Sequence, residues 1–147
     1  MTVVRTIHKA SSLVLAMRAA GGIHARTALD QAEQAVRAAR AENLHGQAEL
    51  LAQMRNWKAT SLHNDATWLD LYECGSGLIS ICDPDEDVHL LRCARLLCEY
   101  VARTAEGERR KVVGDLFIST LSVLGDQATK AEVRTDVLGA FEALIPR

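Results

Sequence analysis

The chain has few residues that break helices or mark turns. Its 147 residues include only two prolines, Pro84 and Pro146, so no proline ring interrupts residues 1–83 or 85–145. Its nine glycines fall at a few sites and do not recur as the regular turn signals of a β protein. This scarcity of helix-breaking residues and turn signals favours long helices.

Aromatic residues are also scarce, and neither sign of charge dominates. Rings make up 4% of the chain, which leaves little surface for stacking on bases or sugars. The formal charge of −2 argues against a protein that grips a polyphosphate backbone. No run approaches the roughly 20 apolar residues that a membrane-spanning helix needs. We therefore expect neither nucleic acid nor a membrane as the main partner.

The four cysteines lack the spacing of a metal or redox motif. None belongs to a Cys-x-x-Cys pair, and all fall between Cys74 and Cys98. In a chain of this length, such cysteines are typical of small buried apolar groups in a reducing compartment. The apolar run Ser11–Met17 is short, and Arg18 interrupts it before a clean cleavage site. We therefore expect a cytoplasmic protein without a secretion signal.

The periodicity of the apolar residues predicts the fold class. With 48% hydrophobic and 24% charged residues, the composition is that of a globular domain. Apolar residues return every three or four positions in seven segments, which is the spacing of amphipathic helices. The first two segments carry Val3, Val4, Ile7, Ala10, Val14 and Met17, and then Leu29, Ala32, Ala35, Val36 and Ala39. We predict an all-α, single-domain bundle of six to seven amphipathic helices over residues 1–147.

Helix boundaries follow from capping signals. Gly21-Gly22 ends the first segment, and Gly46 marks a break or a tolerated weak point after the second. Asn64 offers an N-cap for a later helix. The clearest start is the sequence Asp83-Pro84-Asp85-Glu86, with Asp83 as N-cap and Pro84 at the first helical position. The broad apolar face of the helix that follows places it at the centre of the fold.

Two Glu-x-x-His spacings are the sharpest candidates for chemistry. Glu42 with His45, and Glu86 with His89, would each project a carboxylate and an imidazole from one helix face. Such pairs on facing helices, with further carboxylates, build the di-iron sites of ferritin-like bundles. The first segment holds no acidic residue, however, and Glu86 also fits a helix cap. A metal-binding bundle is therefore the alternative hypothesis, with surface and capping roles as the simpler interpretation.

Other sites find less support in the sequence. A helix-turn-helix over Leu116–Leu144 would place Lys130 and Arg134 on the recognition helix, next to the unfavourable charges of Glu132 and Asp136. His45 beside Gly46 could relay phosphate, but no lysine lies near it. No nucleophile elbow or phosphate-binding glycine loop is present. We therefore expect no catalytic residues and no cofactor.

The function that remains is binding. Because no set of polar groups converges in the sequence, we predict a non-catalytic helical interaction or regulatory module that binds a protein partner or a copy of itself. We expect it to self-associate as a homodimer. The alanine-rich second segment and the stretch Gly75–Ile81 are the candidate dimer surfaces. The metal-binding bundle is the alternative, and a DNA-binding regulator is the third hypothesis.

Overall fold

The described residues are helical almost throughout. A computed structural model of the chain describes residues 25–60 and 64–145. Within these ranges 81% of the residues are helical and no strand is present, so the all-α prediction is confirmed. The helices are α1 (Ala25–Ala59), α2 (Asp65–Ile81), α3 (Val88–Arg103), α4 (Lys111–Leu124) and α5 (Ala131–Leu144).

The predicted number of helices is corrected to five in the described residues. The helix predicted over Val3–Met17 lies outside them, and the second and third predicted helices are one helix, α1, which runs through Gly46. A glycine inside a helix costs about 1 kcal/mol relative to alanine. At Gly46 the missing side chain admits a close neighbour, since a Cβ there would lie 3.2 Å from Cδ1 of Ile81 in α2.

The chain divides into two compact units, residues 1–42 and 43–147. In the first unit the structure describes the opening part of α1, residues 25–42. The second unit is a helical bundle in which α3 packs against α2, α4 and α5, so the helix expected at the centre lies there. Its buried face consists of Leu90, Leu91, Cys93, Ala94, Leu97 and Val101. The single domain over residues 1–147 stays a prediction.

Five aromatic rings form a continuous row through the second unit, one from each helix. Trp57 meets Trp68 edge to face at 5.0 Å between ring centroids, and Trp68 lies 6.0 Å from Tyr100. Tyr100 lies 5.8 Å from Phe117, which meets Phe141 edge to face at 4.8 Å. Centroid distances of this size are those of stabilising aromatic pairs. The row therefore links all five described helices, and it uses five of the six aromatic residues in the chain.

Two polar atoms of the row, on Trp57 and Tyr100, have hydrogen-bond partners. Trp57 Nε1 donates a hydrogen bond of 2.7 Å to the carbonyl oxygen of Thr67. The hydroxyl of Tyr100 accepts a hydrogen bond of 3.0 Å from the backbone N–H of Arg110. Because buried indole and phenol groups need such partners, both rings can lie inside the bundle without an unpaired polar atom.

The second part of α1 enters the bundle through gaps left by glycines. Its buried residues recur every three or four positions at Gln47, Leu51, Met54 and Trp57. In α4, a Cβ on Gly114 would lie 2.7 Å from Cη2 of Trp57 and 2.9 Å from Cη2 of Trp68. In α2, a Cβ on Gly77 would lie 3.1 Å from Cδ1 of Leu50. These helices approach α1 closely because those positions carry no side chain.

The capping signals predict some helix starts and miss others. Asn64 caps α2, since its side chain accepts from the N–H of Thr67, whose hydroxyl in turn accepts from the N–H of Asn64. Asp83 does not begin α3. Its Oδ1 instead accepts the N–H groups of Asp85 and Glu86 at 2.8 and 3.2 Å, which closes a turn, and the helix starts at Val88. The α5 N-cap, Lys130, makes no side-chain capping bond.

Gly114→Ala tests the close packing around the tryptophans. We expect this substitution to lower the free energy of unfolding by about 1–3 kcal/mol, because the added methyl group overlaps two rigid rings. The matched control is Gly139→Ala in α5, where nothing lies within 4 Å of an added Cβ. There the gain in helix propensity should raise stability by about 0.5–1 kcal/mol. Urea unfolding measures both, and equal effects at the two sites would contradict the packing described.

Candidate interaction surface

The first Glu-x-x-His pair lies on the surface of α1. Glu42 is exposed, and the side chain of His45 is 76% exposed. The imidazole does not turn toward Glu42. Its Nε2 lies 3.3 Å from Oε1 of Glu49, one turn further along the helix. This is an ordinary i,i+4 surface pair, worth a few tenths of a kcal/mol.

The second pair does not share a helix. Glu86 belongs to the turn before α3, and His89 lies in the first turn of α3. His89 Nε2 lies 3.0 Å from the hydroxyl of Thr135 in α5. The two residues do not share a helix face because α3 begins at Val88, four residues later than the start at Pro84 that an Asp83 cap implied.

No metal centre is formed by the part of the chain that the structure describes. Across residues 25–60 and 64–145, no group of three or more His, Cys, Asp or Glu side chains is placed to hold a metal ion. The geometry therefore gives the metal-binding alternative no support, although Glu42, His45, Glu86 and His89 stay its candidates.

Elemental analysis separates the metal hypothesis from the simpler interpretation. We expect purified protein to carry iron, manganese and zinc only well below one equivalent per chain, because within residues 25–60 and 64–145 neither imidazole belongs to a group of side chains placed to hold a metal ion. The double substitution His45→Ala and His89→Ala should leave the metal content unchanged. A stoichiometric metal that this variant loses would establish the alternative.

Three of the four cysteines are poorly suited to nucleophilic chemistry. All four lie in the described ranges, with Cys82 and Cys93 buried and Cys74 and Cys98 half-buried. Burial raises the pKa of the Cys93 thiol far above its ordinary value and also raises the pKa of Cys98. Burial, then the charges of Asp70 and Glu73, raises the pKa of Cys74. These three thiols therefore stay protonated at neutral pH, and the thiol form is a weak nucleophile.

Two open grooves run beside α3. In each of them one arginine, Arg92 or Arg109, donates a hydrogen bond within the chain. A groove of about 590 Å³ between α3 and α5 is lined by His89, Arg92 and Glu142, among others. In it Arg92 Nε donates to Oε1 of Glu142 at 2.8 Å. In a larger groove of about 1110 Å³, Arg109 Nη2 donates to the carbonyl oxygen of Val101 at 3.0 Å. The first contact joins α3 to α5, the second joins the segment before α4 to α3, and the two do not converge on a common point.

A buried polar pair joins α1 to the turn before α3. Gln47 is 2% exposed and Asp87 is 4% exposed. Gln47 Nε2 donates to Oδ2 of Asp87 at 2.8 Å, and the same oxygen accepts the backbone N–H of Asp83 at 2.9 Å. Sequence reasoning missed this pair because its members are 40 residues apart. The only available signal was the position of Gln47 in the same helical row as Leu51 and Met54.

Asp87→Ala should destabilise the bundle by about 1–3 kcal/mol, because it leaves the buried amide of Gln47 and the N–H of Asp83 without their acceptor. The matched control is Asp85→Ala, two residues earlier on the exposed side of the same turn. That change should stay within about 0.5 kcal/mol. Chemical denaturation of both variants makes the comparison, and a neutral Asp87→Ala would mean that the pair contributes nothing to the fold.

The most distinctive surface is an apolar stripe on residues 25–42 of α1. None of these residues is buried, and Leu29 and Val36 are 64% and 68% exposed. Ala32 lies between them on the same face, and Ala39 continues the row at three- and four-residue spacing. The stripe includes a shallow depression of about 400 Å³ lined by Leu29, Ala32, Glu33, Val36 and Arg37. We call the row of Leu29, Ala32, Val36 and Ala39 the α1 seam.

Elsewhere the exposed large apolar residues do not repeat at this spacing. They are Leu69 in α2, Val88 in α3, Val112 and Val123 in α4, and Val133 and Leu144 in α5. The stretch Gly75–Ile81, the other candidate dimer surface, packs inside its own chain. A Cβ on Gly75 would lie 3.0 Å from Sγ of Cys98, and Leu78 is fully buried. The α1 seam is therefore the better candidate.

The connection between α4 and α5 does not match the spacing of a helix-turn-helix, and Arg134, one of its two predicted phosphate contacts, has a partner within the chain. α4 ends at Leu124 and α5 starts at Ala131, so residues 125–130 connect them. This link is longer than the three to four residues typical of that motif. Arg134 Nη2 donates to the carbonyl oxygen of Asp126 at 2.7 Å, so this predicted phosphate contact is occupied within the chain.

The described residues form a helical bundle in the second unit and an exposed apolar helix face on residues 25–42. Comparison of the chain with known protein families, with curated proteins and with solved structures finds no match. Among the described helices, none has both the length and the apolar character needed to cross a membrane.

Proposed function

We propose that this chain is a non-catalytic helical module that self-associates through the α1 seam. The observation that carries the proposal is the exposure of Leu29 and Val36 on one face of a helix that extends beyond the buried row of the bundle. A helix normally buries such an apolar stripe against another element. A second copy of the chain is the occupant that we propose.

The α1 seam is complementary to itself. If two copies of α1 pair in opposite directions about residue 34, Leu29 of one copy faces Ala39 of the other, and Ala32 faces Val36. With their symmetry mates these contacts make four layers, that is, four pairs of facing residues along the dimer. Each layer places a large side chain against an alanine, which allows the helices to approach closely. The same register repeats on both sides of the two-fold axis, as an isologous dimer requires.

Charge permits this pairing. Residues 25–42 carry three basic side chains, Arg26, Arg37 and Arg40, and three acidic ones, Asp30, Glu33 and Glu42. The net charge of the segment is therefore zero, from three positive minus three negative charges, and two copies do not repel one another as a whole. The seam itself holds no charged residue.

The exposed helix also gains from a partner energetically. Seven of the 18 residues from 25 to 42 are alanine, which has the highest helix propensity. Within this segment the ion pair of Arg37 with Glu33, at 3.9 Å, joins two largely exposed side chains and contributes little. Most helical stability in proteins comes from packing of the apolar face. Association would supply that packing.

Val36→Asp tests the proposal because it places a carboxylate in two layers of the symmetric pair. We expect the dimer dissociation constant to rise at least about tenfold, which corresponds to 1.4 kcal/mol. Sedimentation equilibrium over a wide concentration range measures the constant.

The matched control is Val112→Asp in α4, since Val112 is 69% exposed and Val36 is 68% exposed. This control should leave the dissociation constant unchanged. A strictly monomeric wild-type chain at high concentration, or equal effects of the two substitutions, would count against self-association through the α1 seam.

A further inference from the structure

We propose that the larger groove beside α3 binds an acidic peptide segment of a partner protein. Its lining includes the exposed Arg103 and Arg110, the half-buried Arg109 and Tyr100, and the buried Val113. We call it the arginine groove. These residues all lie in the second unit, so the proposal does not depend on self-association through the α1 seam.

The segment before α4 is fastened to α3, which fixes one wall of the arginine groove. Gly107 in this segment has a φ of +87°, in the left-handed region that favours glycine. The backbone N–H of Arg110 donates to the hydroxyl of Tyr100 at 3.0 Å, and Arg109 Nη2 donates to the carbonyl oxygen of Val101 at 3.0 Å. A wall that is already ordered reduces the entropy that binding would otherwise cost.

Two arginines of the groove have unused hydrogen-bond donors. Arg109 is engaged, since its Nη1 also lies 3.7 Å from Oδ1 of Asp65. Across residues 25–60 and 64–145, no hydrogen bond or ion pair engages the side chain of Arg103 or that of Arg110. A guanidinium group presents its donors in a planar fork that matches a carboxylate. Both side chains are therefore available to an acidic ligand.

The carboxylates of the groove do not cancel its positive charge. Glu142 accepts a hydrogen bond from Arg92, and this bond, then the charges of Glu142 and Glu99, raises the pKa of Arg92. Glu108, which also lines the groove, and Asp65 outside it remain to oppose the three arginines of the arginine groove. Three positive minus two negative charges leave an excess of one, in a chain whose formal charge is −2. The excess favours an anionic ligand at this place.

The size and the apolar part of the lining favour a peptide. The volume of about 1110 Å³ exceeds the roughly 300–1,000 Å³ of small-molecule pockets. Besides Tyr100 and Val113, the lining includes the apolar side chains of Leu96 and Ile145. A peptide can place leucines on such a surface while its carboxylates reach the arginines, and arginine clusters commonly recognise acidic motifs. A nucleic acid offers phosphates without the apolar side chains.

Fluorescence anisotropy with the full chain tests the proposal. The ligand is a short labelled peptide in which glutamates flank a pair of leucines. We expect saturable binding, weakened at least about tenfold by Arg103→Gln together with Arg110→Gln. The matched control is Arg55→Gln together with Arg95→Gln, which removes the same charge from exposed positions outside the groove and should change the affinity less than about twofold. Absence of binding, or equal losses in the two variants, would contradict the proposal.

Charge reversal separates ion pairing from a loss of structure. Arg103→Glu together with Arg110→Glu should lose the acidic peptide and gain affinity for the same peptide with lysine in place of glutamate. A variant that keeps the acidic peptide, or that gains nothing for the lysine peptide, would refute the assigned role of the two arginines.

Nuclear magnetic resonance locates the peptide on the chain. The amide shifts caused by the acidic peptide should concentrate in residues 100–113. Shifts confined to residues 25–42 would mean that the leucines bind the α1 seam, and the arginine groove would lose its assignment. A single-stranded oligonucleotide of equal charge should bind more weakly than the peptide, and tighter binding would overturn the choice of a peptide as the ligand.

Discussion

The row of aromatic rings is the interaction on which the bundle depends. Each of the five described helices contributes one ring, and Phe117 at its inner part is fully buried. A chain with only 4% aromatic residues has concentrated nearly all of them in one place. Because each ring contacts rings from neighbouring helices, displacement of one helix loosens the packing of the others. Gly114 is needed for the same ring packing, since its missing side chain leaves room for Trp57 and Trp68.

The helix α1 serves two purposes along its length. From Gln47 to Trp57 its buried residues close the bundle, with Gln47 bonded to Asp87 beneath the turn that precedes α3. From Ala25 to Glu42 it has no buried residue and carries the α1 seam. Because the bundle has its own core without this first part, the seam is free to act as a binding surface. The self-association that we propose draws on this division and on the symmetry of the seam.

Periodicity predicted the helical class, because a buried face must return with each turn whatever the tertiary structure. It also located the central helix, α3, from its broad apolar face. Periodicity could not predict the number of helices. A glycine such as Gly46 can end a helix or lie inside one, and here the close packing of Ile81 against it accompanies a continuous helix. The start of α3 was placed too early because Asp83 can cap an isolated turn as well as a helix. Long-range contacts such as Gln47 with Asp87 leave no local pattern. Of the candidate sites, the alanine-rich face was visible in the sequence, whereas its exposure was not.

A partner copy should stabilise the first part of α1, residues 25–42, whereas the second part should be stabilised only by packing within its own bundle. Amide hydrogen exchange at residue resolution, recorded over a range of protein concentrations, tests this most directly. The account predicts that amides from Leu29 to Ala39 exchange more slowly as concentration rises, while those from Leu51 to Trp57 keep a constant slow rate set by unfolding of the bundle. Exchange in the first part that does not change with concentration would contradict it.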